Sequence, residues 1–143
     1  MTPFEAFSCV TIALFLKSFA TAGVQGVVRV RHRTFVRAED AAFFGKGATP
    51  AAAEHPLVDR AQQVLRNDGE NVPLFLALLL AFAHVDGRAP LVLGYGMTFV
   101  LARVVHTLAY LRPTQPLRNR AYLLGQLVSF VLIGYLVVAM ATS

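Results

Sequence analysis

Three long apolar runs, at residues 6–28, 89–111 and 121–141, constrain this chain more than any other feature. Each reaches the roughly 20 residues that carry an α-helix across the hydrocarbon core of a bilayer. Backbone amides find no water there, so such segments must pair them internally as helices. A fourth run, 71–85, is too short by itself. It spans if its helix starts earlier, near Leu57, with the polar first turns standing at or above the interface. Only 15% of residues are charged, against roughly a quarter in soluble domains, and mean hydropathy is +0.57. The reading is an all-α integral membrane protein: one four-transmembrane-helix bundle over residues 1–143, with helices at about 5–31, 57–85, 89–112 and 117–141.

Ala20-Thr21-Ala22 has the small residues of a signal-peptide cleavage site, but Glu5 stands where a basic flank belongs and Lys17 interrupts the apolar core. The first helix is therefore kept. Seven basic residues (Arg29, Arg31, Arg33, Arg37, Lys46, Arg60 and Arg66) lie between the first two spans, and Arg112, Arg118 and Arg120 lie between the last two. Arg88 alone marks the opposite side. The positive-inside rule puts both basic loops in the cytoplasm and both termini across the membrane, in a bacterial inner membrane or, in a eukaryote, the endoplasmic reticulum. Attraction to anionic lipid accounts for Arg31, Arg33, Arg37 and Arg112. The basic balance does not point to nucleic acid, because no aromatic-interleaved basic fold accompanies it. The four histidines, His32, His55, His84 and His106, lack ligand spacing, so no metal site is expected. Cys9 has no cationic neighbour to activate it. Residues 36–56 read as a small-residue loop with a helical turn around Glu39 to Phe44.

The informative residues are polar groups set where lipid should be, since ionisable side chains inside spans are costly and face a partner or a wet cavity. Gln63, Arg66, Asn67 and Glu70 recur at i, i+3, i+4 and i+7, one face of the second span. Arg103, His106 and Tyr110 share a face of the third; Arg118, Tyr122 and Gln126 share one of the fourth. Arg29 ends the first. Each falls toward the same end of its helix. Any one of them could be a polar contact between helices, and Arg66 with Glu70 could be an i,i+4 pair. As a set, they exceed what packing asks. Lys17, mid-helix and alone, is expected to snorkel or to bond within the bundle. Several arginines suit an anion with more than one carboxylate, and a glutamate suits an ammonium on the same ligand. Glutathione, with a thiol besides, has that pattern.

The motifs "RNDGEN" with "PLFLA", "RVVHTLAYL" and "PLRNRAYLLGQL", together with "GVVRVRHRTFVRAEDA" after the first span, resemble the MAPEG family, the membrane-associated proteins of eicosanoid and glutathione metabolism. The third-span motif is most similar to the prostaglandin E synthase branch. The resemblance implies four-helix subunits assembled as a homotrimer, with glutathione between adjacent subunits near the cytoplasmic face. By motif it implies glutathione-binding roles for Arg29, Arg66, Asn67, Glu70, His106, Tyr110, Arg118 and Tyr122, with Arg118 stabilising the thiolate. Arg103, Asp40, Asn119 and Gln126 are further candidates. Asn119 stands where the synthase branch has a serine, and Gln63 and Leu65 replace the usual residues before the asparagine. The expected activity is a glutathione transferase, with peroxidase activity a variant, that attacks lipophilic electrophiles arriving from membrane lipid. A glutathione-dependent isomerase and a non-catalytic lipid-binding scaffold of the same family remain alternatives. An unrelated four-helix transporter would not need this lining. Gly23, Gly26, Gly94 and Gly96 are expected to allow close helix approach.

Overall fold

A computed structural model describes residues 1–86 and 88–142. Five helices follow in order: α1 (Pro3–His32), α2 (Ala38–Phe43), α3 (Pro56–Asp86), α4 (Ala89–Leu111) and α5 (Gln115–Thr142). Every helix but the short α2 is long and apolar enough to cross a membrane. The protein is an integral, multi-pass membrane protein.

Local chemistry sets the ends. Thr2 and Glu5 form a capping box: the Glu5 N–H donates to Thr2 Oγ1 (3.1 Å) and the Thr2 N–H to Glu5 Oε2 (2.8 Å), while Pro3 occupies the first turn, where no N–H is needed. Arg33 closes α1 in the left-handed region at φ 51°, and the chain then turns into α2. Phe35 and Ala41 are buried and pin this connection, with the Ala51 N–H donating to the Phe35 carbonyl at 2.8 Å. At 31 residues, α3 is about 46 Å long, well beyond a hydrocarbon core of about 30 Å. Its polar first turns therefore project past the core. Pro73 inside α3 has no N–H to give the Gly69 carbonyl.

The α3–α4 pair is central. The other two spans flank it: α1 packs on α3 and α4, α5 packs on the same two, and among the described residues the backbones of α1 and α5 make no close approach. Ala6, Val10 and Leu14 from α1, Phe75, Leu79 and Phe82 from α3, Val92 and Phe99 from α4, and Val128 and Leu132 from α5 belong to one apolar core. The rings of Phe75 and Phe99 stack with centroids 3.6 Å apart, and Phe82 sets its ring edge-on to Tyr95 and Tyr135. Gly96 lets α1 and α4 approach: a Cβ there would stand 2.2 Å from Val10 Cγ2. Its close contact is thus within the chain, whereas Gly23, Gly26 and Gly94 face open space. Large apolar side chains, including Phe15, Phe19, Phe130 and Val138, remain exposed on the outer faces, as a lipid-embedded surface requires.

Candidate functional site

The polar residues gather one to four turns inside the end of the bundle where α3 and α5 begin and α1 and α4 finish. On the α3/α4/α5 side they form two linked sets. Arg118 lies over the ring of Tyr110, its guanidinium carbon 4.6 Å from the centroid, and among the described residues no carboxylate pairs with it. The Tyr110 hydroxyl donates to Gln63 Oε1 at 2.6 Å, and Arg60 donates to the Tyr110 carbonyl at 3.3 Å, closing the end of α4. His106 is buried one turn below, with its ring 5.7 Å from Tyr110 and 6.3 Å from Tyr122. Its Nδ1 has no hydrogen-bond partner among the described residues. Deeper still, Gln126 donates to Asn71 Oδ1 at 2.6 Å, and Asn71 donates to the Asn67 carbonyl at 2.7 Å.

Arg66 and Glu70 stand on the outer face of α3, 3.8 Å apart, with side chains 85% and 65% exposed. Such a pair contributes only a few tenths of a kcal/mol, so it leaves both groups available to a ligand. Below them a groove of about 440 Å³ runs between α3 and α5, from Asn71 and Gln126 down to Leu74, Leu78, Phe130 and Ile133. Its lining is polar at Asn71, Gln126 and Ser129 and apolar elsewhere.

Arg29 and Asp40 are elsewhere. Arg29 is held by both oxygens of Glu54, with its terminal nitrogen at 2.7 Å. The two share a polar crevice with Asp40, Arg37 and Gln62 at the α1 end. With Arg29 held by Glu54 and Arg118 lying on Tyr110, the described residues carry two separate polar surfaces, one around Arg29 and one around Arg118. Asn119 is exposed at the start of α5.

Arg103 turns inward. Its Nε donates to Asp68 Oδ1 at 2.9 Å, and its terminal nitrogen reaches both that oxygen and Asn67 Oδ1 at 2.5 Å. The other Asp68 oxygen is taken by Lys17 from α1, so Lys17 bonds within the bundle and does not snorkel. Asp68 was not on the polar face read from the sequence, because it lies 100° round the helix from Asn67. A signal was available: a lone lysine and an off-face aspartate, both mid-span, have strong reason to find each other in a medium without water. Glu54, in a small-residue loop, offered no such signal.

Four membrane-crossing helices with polar residues gathered at one end, over a largely apolar groove between α3 and α5, define a polytopic membrane protein. The chain belongs to the MAPEG family, whose profile matches residues 7–138. It is 35% identical over 127 residues to prostaglandin E synthase of Rattus norvegicus, covering 87% of this chain and 81% of that protein. The Mus musculus prostaglandin E synthase matches to the same extent. Microsomal glutathione S-transferase 1 of Mus musculus is 31% identical over 123 residues, covering 84% of this chain and 79% of the relative.

Proposed function

We propose that this protein is a membrane-bound glutathione transferase, active as a homotrimer, in which Arg118 favours the glutathione thiolate for attack on lipophilic electrophiles. The observation that carries the reading is Arg118 itself: a half-buried guanidinium steadied on Tyr110, without a carboxylate partner among the described residues, beside a buried histidine whose Nδ1 is unmet. A fixed positive charge in a partly dry site stabilises an anion that forms next to it. The donor set fits the tripeptide. Glu70 suits its ammonium, Arg66 and Arg29 suit its carboxylates, and Asn67 and Tyr122 supply hydrogen bonds around them.

Glutathione supplies the nucleophilic sulfur. Arg118 holds that sulfur ionised, Tyr110 keeps the guanidinium in place, and the apolar floor of the α3–α5 groove receives the electrophile and excludes water. Overall a sulfur–carbon bond forms, the leaving group departs with its electron pair, and the thiol proton passes to water. The separation of Arg29 from Arg118 within one chain supports a site shared between subunits, since one ligand meets both only where two chains adjoin. The clustering of basic residues at this end supports a cytoplasmic site.

A glutathione-dependent isomerase is the second reading, favoured by the relatives named prostaglandin E synthase. Asn119, an amide in place of the serine of that branch, weighs for the transferase. Purified protein in detergent tests both: one glutathione per interface by calorimetry, a trimer by native mass spectrometry, and thioether formation from 1-chloro-2,4-dinitrobenzene are expected. A monomer that binds glutathione with full affinity would refute the shared site, and binding without thioether formation would refute the transferase.

A further inference from the structure

Lys17, Asp68 and Arg103 form the most deeply buried ionic group among the described residues, with side chains 7%, 5% and 2% exposed. Two cations share one carboxylate, one oxygen each. No second carboxylate touches either cation among the described residues, so the cluster carries a net charge of one positive unit: two cations less one anion. Lys17 stands near the middle of the 30-residue α1, about 20 Å from either end, too deep for its ammonium to reach water. An uncompensated charge in a low-dielectric interior costs several kcal/mol. Packing alone would be served by a neutral pair, or by apolar residues of the same size. The surplus has a direction: Arg103 also grips Asn67 Oδ1, so the amide nitrogen is the branch of Asn67 that Arg103 does not take.

We propose that this cluster is a positioning and charge-supplying device for the ligand site, its surplus positive charge favouring bound anion and its Arg103 arm setting Asn67 toward that anion. The inference rests on the glutathione reading above and adds groups that never touch the ligand. Arg118 on α5, Arg66 and Glu70 on α3 and His106 on α4, which the glutathione reading assigns to the ligand, are left unchanged in the test.

Wild-type protein is compared with Lys17→Met, Lys17→Arg and the double variant Lys17→Met with Asp68→Asn. The cluster charge is then plus one, zero, plus one and plus one respectively. A unit charge about 12 Å from an anion, at an effective dielectric of about 20, changes affinity about tenfold. Lys17→Met should therefore weaken glutathione binding about tenfold in calorimetry, and should move the thiolate absorbance of bound glutathione up by about one pH unit. Lys17→Arg should match wild type, and the double variant should return to within about threefold of it. A purely structural ion pair predicts otherwise: Lys17→Met would lower the unfolding temperature while leaving both ligand readouts unmoved, and that result would overturn the proposal. So would a folded double variant that recovers nothing. If Lys17→Met does not fold, Lys17→Gln, which keeps a hydrogen bond to Asp68, carries the same expectation. Wild-type protein that binds no glutathione would end the glutathione reading along with this one, whereas binding indifferent to the cluster charge would end this one alone.

Discussion

Replacing Arg118 by alanine removes a guanidinium that no described carboxylate offsets, so its full charge acts on whatever lies in front of it. With a sulfur anion about 5 Å away and an effective dielectric of about 20, the interaction is about 3.3 kcal/mol, equivalent to about 2.4 pH units. A thiol of pKa about 8.5 would then titrate near 6 in the site, raising the ionised fraction at pH 7 from about 3% to about 90%. Arg118→Ala should therefore lower kcat about thirtyfold at pH 7, before any loss of transition-state stabilisation is added. The sign check is specific. Removing the cation raises the thiol pKa toward its free value, so the deficit should shrink as pH rises and nearly vanish above about 9.5. Arg118→Lys should recover part of the loss, because it restores charge without the flat fork that lies on Tyr110. Turnover of 1-chloro-2,4-dinitrobenzene across pH 6 to 10, with glutathione affinity measured separately, reads all of this. A folded Arg118→Ala trimer with wild-type turnover at pH 7, or a deficit constant across the pH range, would refute the electrostatic argument.

Two other substitutions follow from the geometry. Glu70→Gln should raise the glutathione Kd at least tenfold, the value of one charge-assisted hydrogen bond, with little change in melting temperature because its pair with Arg66 is exposed. An unchanged Kd would return both residues to the role of a surface pair. Gly96→Ala should destabilise the bundle by about 1–3 kcal/mol through its clash with Val10, read as a lower thermal midpoint in detergent, and Val10→Ala should restore most of the loss. A midpoint unchanged by Gly96→Ala would show that α1 and α4 yield at this point.

Much of the architecture was legible in the apolar runs, because span length is fixed by bilayer thickness and little else in a sequence produces it. The Pro56 start of α3 was legible in the same way, as a polar extension that a 15-residue run needed. Helical periodicity brought out the exposed face of Arg66 and Glu70 for the same reason: it is local. The pairings across sequence were not. Lys17 and Asp68 lie 51 residues apart, and nothing in the repeat of either helix says which way the other turns. Arg103 shares a sequence face with His106 and Tyr110, yet the carboxylate of Asp68 draws it inward. Arg29 reads as a free cation until the loop folds back and Glu54 takes its fork. Charge partners supplied by a connecting segment escape any argument from periodicity.

Among the described residues α1 and α5 make no close backbone approach, and Arg29 and Arg118 mark two different surfaces, which would give a subunit of the proposed trimer a direction around its circumference, like a link with a hook at one end and an eye at the other. Links of that kind join head to tail, and they leave no free end only when the chain closes into a ring. In the proposed trimer every junction would take its hook from one subunit and its eye from the next. A lesion at Arg29 and a lesion at Arg118 would then disable opposite ends of a link. Subunits carrying one lesion each would form, where their intact ends meet, a junction that neither makes with its own kind.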